Sequence, residues 1–430
     1  MIQNESRIIS NSLWTATANA APDTPALSGK VEVDVAIVGC GVTGLSAALH
    51  LAERGLSVIA IDAQSPGWGA SGRNGGQLNP GLKHDPDEVI RDFGPEMAGR
   101  MLRMSGNAPK TVVDLVRQHG INCDAVLPGW VLPAHDAASM ATLRNRAEQW
   151  AKQGVELKIL DKAEVTALIG SDVYVGGLLD PRGGNLHPLN YTLGLAEAAQ
   201  KAGAQICGQT PALSLTREGA VQVITTPKGE IRAAKVLLCT NGYTDDLAPP
   251  LARTVVPVRS VQVATAPLSD NLRRSILPGL QAVADSRRVM VYYKMDGAGR
   301  LLMGGRGDYN DATTEKLLAN LRRVTQKMFP QLEGVQFEHG WGGFVAMTAD
   351  HYPHLSPVGP GVMSALGYNG RGLALGSVMG RVLADWASGV PEAELDFPVT
   401  APRPIPFHFL RKPAVRATIA MFRLRDALGI

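Results

Sequence analysis

The chain has 430 residues, 45% of them hydrophobic, an ordinary globular share spread over more length than one simple core organises, so two interleaved domains are expected. Its net charge of +3 is too small to argue for nucleic acid, no basic-aromatic module occurs, and no run of about 18 uncharged apolar residues is present to span a bilayer. Cys40, Cys123, Cys207 and Cys239 show no Cys-x-x-Cys spacing, so neither a metal site nor a redox disulfide is expected, and buried free thiols in a reducing cytoplasm are.

Residues 1–30 are polar and proline-bearing and read as a segment lying across the surface. Asn4, Glu5, Ser6 and Arg7 introduce no long apolar stretch and no cleavage site, which argues against a leader. Residues 33–38 read as a buried parallel strand, 45–54 as a helix stopped by Gly55, and 57–61 as the next strand. Between the first two, Gly39, Gly41 and Gly44 fit Gly-x-Gly-x-x-Gly, with Val42 and Thr43 inside the motif. The first glycine permits a tight turn, the second lets backbone approach a pyrophosphate, and the third lets helix and strand pack. Phosphates would sit on the helix N-terminus, where free N–H groups and the helix dipole favour negative charge. Asp62, followed by Ala63, stands 18 residues after Gly44, where an acid meets a ribose hydroxyl.

This pattern admits NAD or FAD. The segment Gly67-Trp68-Gly69-Ala70-Ser71-Gly72-Arg73-Asn74-Gly75-Gly76-Gln77 favours FAD. An NAD domain would continue with an ordinary helix, whereas this loop can wrap a larger cofactor, its glycines allowing close approach and Ser71, Arg73 and Asn74 donating hydrogen bonds. The bland reading is a flexible surface turn.

Further along, 88–120 and 136–154 show helical periodicity, 189–202 reads as a helix and 204–208 as a strand. Residues 212–238 read as hairpin strands. Strands at 255–266, 289–294 and 301–305, with a helix at about 313–329, make a mixed, largely antiparallel sheet over 255–347. A final apolar helix, 373–387, returns to the first domain. The expected fold class is mixed α/β: a Rossmann-like FAD-binding domain (31–90, 150–250 and 340–400) interleaved with a substrate domain (91–149 and 251–339), followed by a basic helical segment, 401–430. No second Gly-x-Gly-x-x-Gly occurs, which argues against a reductase with separate FAD and NAD domains.

The run from Asp34 to Gly81 resembles the D-amino-acid oxidase/glycine oxidase superfamily of flavoproteins, and Gly-Ala-Ser-Gly-Arg-Asn-Gly-Gly-Gln resembles the branch holding γ-glutamylputrescine oxidoreductase and bacterial L-pipecolate oxidase. Residues 235–244, with Thr240, Asn241 and Gly242, resemble the strand and turn that return to FAD. Residues 300–306 resemble a strand of the substrate region. Gly367-Tyr368-Asn369-Gly370-Arg371-Gly372, leading into Leu373, resembles the flavin-ring loop. Ala212, Leu213 and Gly343 are also expected along the cofactor. The resemblance implies oxidation of an amine, amino acid or cyclic imino acid to an imine by hydride transfer to FAD, with no catalytic triad. The helix after 367–372 would bring N–H groups and positive dipole to the ring.

Arg306 ends a glycine-flanked strand and can grip a carboxylate in fork geometry, or be an ordinary surface arginine. Alternation places Tyr292 and Lys294 on one strand face and Tyr293 on the other; aromatic strand residues are more often core. His351 precedes the flavin loop and is a candidate active-site group, though a lone histidine is more often only hydrogen-bonded. Two departures stand out. Sarcosine-oxidase relatives carry an oxygen-activating lysine where this chain reads Leu301-Leu302-Met303, and they bind flavin through a late cysteine, whereas the last here is Cys239. Non-covalent FAD is therefore expected, reoxidised by oxygen or by a membrane acceptor. An NAD-dependent dehydrogenase and a non-catalytic flavin-binding protein are the alternatives. In the C-terminal segment, Val415, Ile419, Phe422 and Leu428 fall on one side of a helix, and Lys412, Arg416, Arg423 and Arg425 supply cations. That pattern suits peripheral contact with the inner face of the cytoplasmic membrane, or packing on the protein itself. Oligomeric state is left open.

Overall fold

The structure is a computed structural model that describes residues 12–287, 290–306 and 314–428; Asn4–Arg7 and the side chains of Ile419, Phe422, Arg423, Arg425 and Leu428 lie outside the described set. The strand Gly29–Val38 organises the first domain. It pairs in parallel with Val58–Ile61 on one side and Gly229–Leu238 on the other. Its last four residues are buried from both sides, Val35 and Ile37 among the helix residues Leu45, Leu49 and Val378, and Ala36 and Val38 among Ile224, Leu251 and Ala346, which is why they read as a continuous apolar run. Gln205–Cys207 and Val362–Leu366 extend the sheet in parallel, and His354–Gly359 closes one edge in antiparallel. The helices Val42–Glu53 and Gly372–Ala387 lie against each other, with Ser46 donating to Ser377 O at 2.7 Å. The chain's last long apolar helix thus returns to its first βαβ unit.

The second sheet runs Phe337–Met347, Val256–Thr265, Leu301–Arg306, Val291–Met295, Ala282–Ala284, Trp130–Ala134, Gly176–Asp180, Lys158–Leu160. Its pairings are antiparallel except where Ala282–Ala284 meets Trp130–Ala134. The fold is mixed α/β, as the sequence implies. One face packs on the helix Thr314–Met328 through Tyr293, Leu301, Met303 and Phe329. The other face turns toward the first domain. The short strands Lys158–Leu160 and Gly176–Asp180 join this second sheet although they fall inside the 150–250 span expected of the FAD unit. Their hydrogen-bond partners are distant in sequence, and strands this short carry little local pattern.

In the N-terminal segment most of residues 15–30 is exposed, as a surface strap would be, but its described start is not. Leu13 and Trp14 are 0% and 1% exposed. They insert among Leu189, Leu193, Ala264, Leu302 and Trp341, and Trp14 Nε1 donates to Asn74 O at 2.8 Å. A single apolar pair in a polar stretch has no periodicity to announce it; the gap it fills exists only once the two domains meet. Among the described residues, no helix is long and apolar enough to cross a membrane.

Candidate active site

The phosphate cradle forms where the first strand ends. Gly39 has φ +110°, and a Cβ there would sit 2.8 Å from Cys239 O on the neighbouring strand; only glycine accepts both constraints. At Gly41 a Cβ would fall 2.8 Å from Ser71 Oγ. That hydroxyl accepts from Val42 N at 3.0 Å and keeps its own proton free to donate. The helix after Gly41 has no side-chain cap and no acid in its first turn, so its N-terminal field is open to an anion. Asp62 stands at the adjacent strand end and accepts from Cys40 N and Gln64 N, both at 2.8 Å. Burial nonetheless holds its carboxyl above the usual range. Each oxygen retains a lone pair for a ribose hydroxyl. Ala63 follows at the sheet edge, half-buried.

The 67–77 loop lies over this cradle and is fixed largely by its own residues. Asn74 donates to Ala70 O and Ser71 O and accepts from Gly76 N. Arg73 is buried and donates to Trp68 O, with its guanidinium 4.6 Å from the Trp68 ring and its stem against Gly343. Arg73 and Asn74 thus hold the shape of the loop itself. Gln77 ties it to Val283 O and Tyr293 O in the second sheet. Gly69 packs on the Tyr243 ring and Gly75 on the Tyr292 ring. The loop is a fitted joint, not a loose turn.

Two hydrogen bonds bring remote segments to the cradle. Thr43 Oγ1 meets Tyr368 Oη at 2.8 Å, and Asn241 Oδ1 accepts from Gly367 N at 2.9 Å. Thr240 and Gly242 flank that turn, with Thr240 bonded to Thr244 and Gly242 beside Ala346. Asn369 takes φ +53°, accepts from Thr348 N and donates to Gly367 O. Arg371 donates to Pro80 O at 2.7 Å and lies over the Trp130 ring; burial pushes it down to about 9. Gly370 and Gly372 turn the chain into the buried Leu373. Ala212 and Leu213 lead into the Ser214–Glu218 strand, and Leu213 is exposed.

On the second sheet, Tyr292 and Lys294 share the inward face and Tyr293 the opposite one, as alternation requires. Tyr292 Oη pairs with Ser260 Oγ at 2.8 Å, and its ring covers Gly304. Lys294 Nζ donates to Leu186 O at 2.6 Å beside Gly76, and burial lowers it to about 8. Lys294 stands directly across from Leu302 in register, so a buried lysine reaches this face from the neighbouring strand. His351 has φ +61°, its Nδ1 is buried without a partner, and burial together with Lys83 lowers its pKa. Arg306, at its strand end, is lowered by burial.

Sequence reading missed Lys83. Burial, Arg306 and Arg371 lower it to about 8, and it follows directly on Leu78-Asn79-Pro80-Gly81-Leu82. Among the described residues, no group of three His, Cys, Asp or Glu could hold a metal.

The cradle, the wrapping loop and the return turn all match one family model, DAO, FAD dependent oxidoreductase, over residues 34–386. The chain belongs to this family. It is 37% identical over 387 residues to a probable oxidoreductase OrdL of Rhizobium meliloti, covering 90% of each chain. It is 32% identical over 423 residues to the γ-glutamylputrescine oxidoreductase of Escherichia coli, covering 98% of this chain and 99% of that one. The fold matches the crystal structure of glycine oxidase from Geobacillus kaustophilus with a TM-score of 0.70 and 22% identity, over 83% of this chain and 95% of that one. Family membership makes the chain an enzyme and its dinucleotide FAD, and the NAD-dependent and non-catalytic readings fall.

Proposed function

We propose that the chain oxidises the C–N bond of an amine bearing a carboxylate: an amino acid, a cyclic imino acid such as L-pipecolate, or a γ-glutamylputrescine-like amine. Bound FAD supplies the hydride acceptor. The observation that carries the reading is the pair Lys83 and Arg306. Both are withdrawn from water, they repel each other, and among the described residues neither has a carboxylate partner. Unpaired cations removed from water are costly unless an anion arrives. A substrate carboxylate supplies it and is oriented by the fork of Arg306. His351 presents its buried Nδ1 beside Asn369, and the helix Gly372–Ala387 begins three residues after Asn369, where its free N–H groups would favour an anion.

The relatives support this reading by their names: γ-glutamylputrescine oxidoreductase and glycine oxidase act on amines. The four buried free thiols fit a reducing cytoplasm and non-covalent FAD. The buried Lys294 favours oxygen as acceptor over a membrane carrier, which oxygen uptake during turnover checks. The test of substrate class is anaerobic bleaching of the yellow protein by amines offered with and without a carboxylate. Wild type should bleach with the acids at far lower concentration than with their amides, and Arg306→Ala or Lys83→Met should erase that preference, raising KM more than lowering kcat. Lys83 loses its charge as pH rises through about 8, so KM for acids should climb above that pH and stay low in Lys83→Arg. Equal bleaching by acids and amides in wild type refutes the reading.

A further inference from the structure

We propose that Phe407 and Phe409 form a docking tip that enters the interface of an anionic lipid bilayer, with the cations of the following helix on the headgroups. The two rings are each 73% exposed, the highest values among the described large hydrophobic side chains, and Leu410 beside them is 48% exposed. They stand 6.4 Å apart, edge to face, so they form one patch. The patch is also held in place. Ile405 N donates to Arg253 O at 2.8 Å, His408 Nε2 donates to Val255 O at 2.8 Å, and Leu410 N closes onto Phe407 O at 2.8 Å. Phe407 itself takes φ +53°, a conformation that an aromatic residue adopts only under constraint. A tethered, strained turn thus keeps two rings in water, where apolar surface is least stable.

Charge identifies the occupant. Residues 401–430 hold six Lys and Arg, at 403, 411, 412, 416, 423 and 425, against the single acid Asp426, an excess of +5 in a chain whose total is +3. The remaining 400 residues are therefore net −2, and the positive charge is concentrated in the segment that carries the rings. Arg403, Lys412 and Arg416 are exposed. Size separates a bilayer from a protein partner. Two Phe rings offer roughly 300 Å², well below the roughly 800 Å² per partner of a stable protein interface. A bilayer interface accepts isolated aromatic tips flanked by basic residues. The tip is fastened to Val255, whose side chain approaches Gly367 of the flavin loop, so docking would bring that end of the active site to the membrane.

The test is co-sedimentation of the full-length, FAD-loaded protein with phosphatidylcholine vesicles with and without phosphatidylglycerol, at low and high salt. Wild type should pellet with the anionic vesicles at low salt and be released by high salt. Phe407→Ser with Phe409→Ser should weaken binding at least tenfold while flavin content and melting temperature stay unchanged. Arg411→Gln with Lys412→Gln should cost about fivefold per cation. Wild type remaining in the supernatant at low salt overturns the proposal, as does undiminished binding by the double Phe variant. Light scattering on the same variants is the second readout: a wild-type oligomer that dissociates when the rings are removed would make the tip a contact between copies of the chain, and the lipid assignment would fall.

Discussion

Acidification should destabilise this protein in large part through His187. It caps the helix Pro188–Lys201, accepting from Asn190 N at Nδ1. Its Nε2 must then carry the proton and donate to Thr17 Oγ1 at 3.0 Å, and Thr17 donates onward to Leu13 O at 2.7 Å. The ring is 6% exposed, meets Trp14 edge-on at 4.7 Å, and is held down to about 4 by burial and by Lys294. An unfolded histidine titrates near 6.5. Between those values the unfolded chain binds the extra proton, so stability is full above about pH 6.5 and is lost as pH falls toward 4. At 1.36 kcal/mol per pH unit, the gap from 6.5 to about 4 amounts to about 3 kcal/mol. His187→Asn preserves a capping acceptor and removes the titration. Urea unfolding of both proteins at about pH 7 and about pH 4 should show the wild type losing about 3 kcal/mol more than the variant. Parallel losses would refute the buried neutral imidazole.

Trp14→Ala should cost about 3–5 kcal/mol in the same assay, the range for deleting a buried aromatic ring, and should weaken FAD retention because the ring's donor holds Asn74 O in the wrapping loop; a loss near zero would return the segment to the surface. Asp62→Ala should weaken FAD binding roughly ten- to hundredfold, from about 1.5–3 kcal/mol for a charge-assisted bond, read by fluorescence titration of the apoprotein. An unchanged Kd would leave Asp62 only its backbone partners. Acid precipitation should release all the yellow colour; flavin left on the polypeptide would show a covalent link.

The sequence alone determined whatever is set by neighbours along the chain. Gly39, Gly41, Gly44 and Asp62 lie within one βαβ unit, where turn, helix start and strand end have fixed spacing, so cofactor type and the first half of the fold were legible. Strand alternation likewise placed Tyr292 and Lys294 on one face. The final helix was readable by its apolar pattern and was assigned to the first domain, while its contact with the first helix came from the fold. What only the tertiary structure decided depends on contacts between distant segments. Trp14 is buried because two domains leave a gap there. Arg73 and Asn74 look like ligand donors in sequence, and only the folded loop shows that they also bind its own carbonyls, at Trp68, Ala70 and Ser71. The strands Lys158–Leu160 and Gly176–Asp180 belong to the second sheet because their partners are there. Lys83 acquires its character from burial and from Arg306 and Arg371, both more than 200 residues away. Local spacing is written in the chain; burial and the electrostatic field are properties of what the fold brings beside each residue.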